Sequence, residues 1–360
     1  MKKATRCYID IHVLQTVPPS CVNRDDTGSP KTAVYGGVTR ARVSSQAWKR
    51  AIRQDFRESF APEQLGSRTK KVLAQVSEEL LKLEHSLTQE DADEKAENVL
   101  KNTGVPLNKM RETDALFFMS DAQARALAAL AISGEDDKDA CKAALKDNPS
   151  VDQALFGRMV AADSSLNYDA AAQVAHAIST HAVQNEFDYF TAVDDRAPED
   201  NAGAGHIGTT EFNSATLYRY ATVNVDELAL WLGDKTVDAA KGFVESFCCT
   251  MPTGKQNSFA NRTMPDAVYL TVRNDQPINL SGAFEKPVRA GMEGYQAASE
   301  QRLAEYAAKT YEIFAPTPVC SFVSSRGEAF AAIAEPLPLS ALLERVGACV
   351  AARLAGEERK

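Results

Sequence analysis

The sequence lacks the spacings that announce metal, disulfide or cofactor chemistry. Its seven cysteines are odd in number and form no Cys-x-x-Cys pair. Cys248 and Cys249 are adjacent. Neither a zinc ribbon nor a disulfide framework is signalled, and reduced thiols in a cytoplasmic protein are expected. No apolar run reaches the roughly 18 residues of a membrane-spanning helix. The run behind Met1, Lys2 and Lys3 is broken by Asp10 and His12, which excludes a signal-peptide core. The five histidines do not show the zincin spacing of four. His176 and His181 sit five apart on a helix expected from about Tyr168 to Gln184, about 140° apart round its axis. His12 falls on the polar face of a strand, and His85 and His206 are isolated. Gly203, Gly205 and Gly208 precede no helix, so they make no dinucleotide fingerprint. No internal repeat is present. No cofactor and no metal site is expected.

What is present is an ordinary globular composition over 360 residues, with 44% hydrophobic and 25% charged residues. One large or two moderate domains of mixed α and β structure follow. The net charge of −9 argues against a nucleic-acid partner until its distribution is read. Residues 1–57 hold 11 Lys+Arg against 4 Asp+Glu, a net of +7, and the rest of the chain carries −16. Local potential decides where a polyanion docks. The alternative is a solvated charged face.

Residues 6–14 alternate as a strand, with Cys7, Ile9, Ile11 and Val13 on its apolar face. A long irregular segment from Gln15 to about Val38 follows, and loops of that length are usually functional. An extended piece, 40–43, leads into a helix over 44–57. There Ser44 is a good N-cap, and Lys49, Arg53 and Arg57 share one stripe with Arg50 beyond it. The N-terminus Ser44-Ser45-Gln46 offers amide groups and a partial positive charge to a phosphate. With Lys49, Arg50 and Arg53 it can track successive phosphates of one strand, and Gly36-Gly37 permit close backbone approach. Asp25 and Asp26 could hold a divalent metal and cleave RNA, but no third acidic ligand is near in sequence. A turn-forming or salt-bridging pair is the competing reading.

From about 58 to 165 the chain turns Ala-, Leu-, Glu- and Lys-rich. Helical periodicity at 72–84, 90–101, 114–132 and 136–146 reads as an inserted helical subdomain. Strands are expected at 186–193 and 209–223, joined by a polar, glycine-rich linker that suggests a mobile hairpin arm. Helices are expected near 225–232, 235–249, 296–313 and 338–355, and extended segments near 266–273 and 317–324. Gly157-Arg158-Met159 is unremarkable by itself, since a Met is usually core filler.

SCVNRDD (20–26), YGG (35–37) and RARVSSQAWKRAIR (40–53) resemble the N-terminal signature of the CasC family. These are the backbone subunits of type I-E CRISPR Cascade complexes, within the RAMP superfamily. FGRM (156–159), AHAISTHAV (175–183), DYFTAVDD (188–195), HIGTTEFNSATLYRYATVNV (206–225) and SGAFEKPV (281–288) extend the resemblance in order along the chain. It implies an α+β fold: a modified RNA-recognition-motif (ferredoxin-like) palm over 1–57 and 166–360, a helical finger insertion over 58–165 and a β-hairpin thumb at 186–224. It also implies a non-catalytic, cytoplasmic subunit of an antiviral surveillance complex. Such subunits assemble as a filament along a CRISPR RNA and present it to a target DNA strand, alongside further copies and other Cascade subunits. Arg24, Lys31, Ser44, Gln46, Lys49, Arg50 and Arg53 would then contact the RNA backbone. Met159 would wedge between bases, helped by His206 or Ile207. The palm lacks an obvious aromatic stacking pair of the usual RNA-recognition type, which fits backbone gripping. The alternatives are a metal-dependent RAMP-type ribonuclease using Asp25 and Asp26, and an enzyme whose basic helix binds a phosphorylated metabolite.

Overall fold

The computed structural model describes residues 6–160, 163–192 and 206–356, with only the backbone at 206 and 207. Strand β1 (Tyr8–Ser20) is followed by a hairpin of β2 (Thr32–Tyr35) and β3 (Val38–Val43), then by helix α1 (Ser45–Ser59). Next come β4 (Gly66–Thr69), α2 (Val72–Leu83), α3 (Gln89–Thr103), β5 (Phe117–Ser120), α4 (Asp121–Ser133), α5 (Lys138–Lys146) and α6 (Val151–Phe156). Strands β6 (Ala172–Val174), β7 (Ala177–Ser179), β8 (Glu186–Ala192) and β9 (His206–Asn224) lead to α7 (Val225–Leu232), α8 (Thr236–Cys249) and α9 (Gln256–Phe259). The chain closes with β10 (Ala267–Arg273), α10 (Gln296–Ile313), β11 (Cys320–Ser325), β12 (Glu335–Pro336) and α11 (Leu339–Leu354).

The main sheet runs in the order β12-β11-β10-β1-β9-β7-β3-β2, with β6 and β8 also paired to β9. Its centre, β10-β1-β9-β7, is connected as β1–α1–β7–β9–α8–β10. That is a βαββαβ unit with its fourth, first, third and second strands side by side, the ferredoxin-like arrangement that the resemblance implies. The β2–β3 hairpin extends one edge, and β11 and β12 extend the other.

Contacts divide the chain into two units: Met1–Ile52, Val174–Thr222 and Phe243–Arg353; and Arg53–Gln173, Val223–Gly242 and Leu354–Lys360. The second unit therefore begins at Arg53 rather than 58 and ends its main run at Gln173. It also takes 223–242 from the stretch assigned to the palm. Its core joins Val72, Val76 and Leu80 of α2 to Val99 and Leu100 of α3, Leu127 of α4 and Leu145 of α5. This unit is not purely helical, because the segment read as one helix over 114–132 holds β5, which pairs with β4 from Gly66↔Ser120 to Thr69↔Phe117.

The first unit's sheet is covered on both faces, which corrects the one-sided reading of β1. Asp10 and His12 are fully buried. On their face Leu14, Tyr218 and Tyr269 pack with Leu303, Ala304 and Ala307 of α10. On the other, Val17, Val43 and Leu217 pack with Trp48 of α1. His12 is stacked among Tyr218, Tyr220 and Tyr269, and burial pushes its pKa down to about 3. Asp10 accepts hydrogen bonds from the Tyr220 hydroxyl at 2.9 Å and the Ile278 amide at 2.8 Å.

Two further expectations fail for one reason. The helix expected over 168–184 is extended chain carrying β6 and β7, and the "irregular" segment 15–38 gives its first six residues to β1 and 32–35 to β2. The Ala-rich run around His176 has helical composition, yet Ala177 and Ile178 pair with Val43 and Arg42 of β3, and Ile178 and Ser179 pair with Tyr218 and Leu217 of β9. Strand pairing overrides local propensity. Pro18 and Pro19 stand exposed near the end of β1, where missing amide donors cost the ladder little.

Candidate nucleic-acid interface

The basic loop and the start of α1 form one surface of the first unit. The loop after β1 closes through a bridge between Arg24 and Pro30, and the Lys31 amide donates to the Asn23 carbonyl at 2.8 Å. The Asn23 side chain in turn accepts the Ser44 amide at 3.0 Å. One asparagine thus fixes the loop against the helix start. Ser44 is buried, and its hydroxyl accepts the Ala47 amide at 3.4 Å. It caps the helix, whose first two turns carry exposed Gln46 and Arg50 and half-buried Lys49. Arg24 is exposed and Lys31 half-buried in the loop that Asn23 ties to the helix start.

Two cations of the basic block, Arg40 and Arg53, are engaged by the fold. Arg40 is fully buried and donates to the carbonyls of Tyr35, Ser179 and Phe284 at 2.8–3.1 Å. Arg53, counted among the RNA contacts from its stripe, lies in the second unit. It forms an ion pair with buried Asp152 at 3.0 Å and stands 4.6 Å from the Phe118 ring centroid. Gly36 and Gly37 take positive φ at the β2–β3 turn. A Cβ on Gly36 would lie 1.6 Å from the Glu285 carbonyl oxygen, so the close approach there is to the protein's own backbone.

Asp25 is a turn former. Its carboxylate accepts the Thr27 amide and hydroxyl at 3.0 and 2.8 Å and the Ser29 amide at 2.9 Å. These bonds, the Thr27 hydroxyl first, hold its pKa below the usual carboxylate range. Among the described residues no three His, Cys, Asp or Glu side chains are grouped to hold a metal.

In the second unit, Arg158 and Met159 invert the usual arrangement of polar and apolar side chains. Arg158 is 4% exposed, and Met159 is 87% exposed. The Arg158 guanidinium donates to the carbonyls of Leu166, Phe118 and Leu145 at 3.0, 3.2 and 3.0 Å. Burial lowers its pKa to about 10, so it remains charged at neutral pH. Gly157 just before it has φ +74°, and a Cβ there would lie 2.9 Å from the Tyr168 carbonyl oxygen, so a larger residue is strained. Phe-Gly-Arg-Met is therefore a fixed turn presenting a bare thioether.

The hairpin of β8 and β9 is registered from Glu186↔Phe212 to Ala192↔His206. His206 and Ile207 occupy its far end by backbone pairing, while their side chains, like the linker 193–205, lie outside the described residues. Its root is tied to the basic loop: Ser29 donates to Glu211 at 2.9 Å, and Asn185 donates to the same carboxylate at 2.9 Å.

The CT1975-like protein family model matches residues 9–345. The chain belongs to this family. No curated protein matches the sequence. Among solved structures, a chain of "CRISPR RNA-guided surveillance complex, pre-nicking" is 33% identical with TM-score 0.83, covering 98% of this chain and 100% of that one. A chain of "CRISPR RNA-guided surveillance complex" is 31% identical with TM-score 0.64, covering 96% and 99%. The resemblance read from the motifs thus extends over essentially the whole CT1975-like chain.

Two groups on this CT1975-like surface escaped the sequence reading. The Arg42 guanidinium lies 3.2 Å from His176 Nδ1, and burial, then Arg42, then Lys31 lower the His176 pKa. Two cations, Arg42 and Lys31, thus face an imidazole that they hold toward its neutral form. The alternation in 40–43, which separates Arg42 from Ala41 and Val43, was the available signal, but His176 was assigned to a helix. Phe187 and Tyr189 are exposed, two apart on β8. Strand periodicity puts them on one face and would have identified an aromatic pair on the arm.

Proposed function

We propose that this chain is a non-catalytic, RNA-binding backbone subunit of a CRISPR surveillance complex, acting in the cytoplasm against invading nucleic acid. Arg24, Lys31, Arg42, Lys49 and Arg50, with Gln46 and the capped start of α1, grip successive phosphates of a guide RNA. Backbone gripping by cations is independent of sequence, as a subunit that carries any guide requires. Met159 wedges beside a displaced nucleotide, since an apolar side chain inserted at a base step partly unstacks it. The β8–β9 arm, through Phe187, Tyr189 and the segment around His206 and Ile207, closes over RNA held by a neighbouring copy. Repetition along the guide gives a filament that leaves bases free to pair with target DNA and offers edges to other Cascade subunits.

The observation that carries this reading is Met159, an exposed apolar side chain on a turn immobilised by buried Arg158. It sits in a chain matched end to end by a surveillance-complex subunit. A ribonuclease reading is disfavoured by the use of the Asp25 carboxylate within its own turn.

The test is co-expression with the neighbouring genes, followed by sequencing of the nucleic acid that co-purifies. RNA of uniform length is expected. Incubation of the purified complex with target RNA or DNA and Mg²⁺ is expected to give no products. Cleavage lost in Asp25→Ala or Asp26→Ala would favour the ribonuclease, and a nucleic-acid-free monomer would favour a metabolite-binding enzyme.

A further inference from the structure

We propose that Cys320 and Cys349 form a redox-sensitive clip: a vicinal thiol pair that a peroxide oxidises to a disulfide, fastening the C-terminal helix to the sheet. Their sulfurs are 3.4 Å apart, and both residues are half-buried. A disulfide needs about 2.04 Å, so the sulfurs must close by only about 1.4 Å, within reach of small side-chain rotations.

The register of helix on strand explains the approach. Arg345 of α11 bonds Glu335 at 2.8 Å and sits 5.6 Å from the Phe322 ring centroid of β11. Four residues further along the helix advance it by about 6 Å. Two residues back along the strand cover about 6.6 Å on the same face. The second rung of this ladder is Cys349 on Cys320. Burial of Leu342, Leu343, Val346, Gly347 and Val350 fixes the rotation of α11 and leaves Cys349 at the margin of the packed face, where a small oxidant reaches it. Cys7, Cys21, Cys141 and Cys248 are buried. A bound metal is a poorer reading of the pair, because among the described residues no third His, Cys, Asp or Glu joins it.

One thiolate attacks the peroxide oxygen, giving a sulfenic acid and releasing water or alcohol. The second thiolate then displaces hydroxide from that sulfur, which leaves as water. Two thiols lose two electrons and two protons, and the peroxide is reduced. The crosslink closes a 29-residue separation, which restrains the unfolded segment.

The experiment treats the reduced full-length protein with equimolar hydrogen peroxide, blocks remaining thiols and digests without reductant. A peptide carrying Cys320 joined to Cys349 is expected, two hydrogens lighter than the separate peptides and split by dithiothreitol. Hydrogen exchange along α11 should slow by about tenfold or more on oxidation. Neither effect should occur in Cys320→Ser or Cys349→Ser, whose exchange under reducing conditions should match the parent protein. Recovery of both cysteines as separately blocked thiols or sulfinic acids would overturn the clip. So would a crosslinked peptide with unchanged exchange in α11.

Discussion

The two units place charged side chains by opposite rules at their candidate RNA contacts. Around Arg24, Lys31 and Arg50 the cations face outward and apolar Val17, Val43 and Trp48 face inward. At Arg158–Met159 the cation is inside and the apolar side chain is outside. The difference teaches that residue type alone does not name a contact. A buried arginine with three carbonyl partners is scaffolding, because a guanidinium has five donors and no way to shed its charge. An exposed methionine next to it is then the informative residue, since burial in the core does not account for it. Arg40 and Arg53 carry the same lesson within the basic block: both contribute to its net charge, and the fold engages Arg40 with carbonyls and Arg53 with Asp152.

Removing Arg158 should break the comparison hardest. Arg158→Ala empties a buried site and leaves the Leu166 carbonyl without its guanidinium donor, while Phe118 and Leu145 keep Gln153 and Tyr168, and a loss of about 3 kcal/mol in the second unit is expected. Hydrogen exchange at α5 and β5, followed with increasing urea, reads it. A loss under about 1 kcal/mol would mean that water replaces the guanidinium and that the turn is not fixed by it.

Arg53→Ala should cost about 2 kcal/mol, because Asp152 stays buried without its cation. The salt dependence of RNA binding should not change. A reduced salt slope, measured by fluorescence anisotropy on a single-stranded RNA, would return Arg53 to the phosphate contacts.

Arg24→Ala, Lys31→Ala and Arg50→Ala should do the reverse. Each is expected to lower the slope of log affinity against log salt by about 0.7, with stability changed by less than about 0.5 kcal/mol. The loss should be the same on RNAs of different sequence. An unchanged slope in all three would place the RNA elsewhere.

Met159→Ala should have the smallest effect. Stability should stay within about 0.5 kcal/mol of the parent, and RNA affinity should fall by roughly 1 kcal/mol. A base analogue that fluoresces when unstacked, placed at successive positions of a bound RNA, should brighten less at the displaced position. If Met159→Ala instead lowers stability as much as Arg158→Ala, the methionine is a packing residue and the contrast between the two units disappears.

Much of this protein was settled by the chain itself. The strand start in 6–14, the capped basic helix, the helices of the insertion outside β4 and β5, and the strands flanking a polar linker all depend on neighbours a few residues apart, and these stand close to where local pattern puts them. The motifs were legible for the same reason, being short and contiguous. Only the tertiary structure decided which face of β1 is polar in use, because α10 covers Asp10 and His12 from about 290 residues further along the chain. It decided that the Ala-rich run around His176 is strand, since β3 and β9 supply partners that the run cannot see locally. It decided that Arg53 answers to Asp152 and Arg40 to distant carbonyls, while Met159 is left exposed. Burial and hydrogen-bond partners separated by a hundred or more residues are set by packing, and packing has no period that a sequence displays.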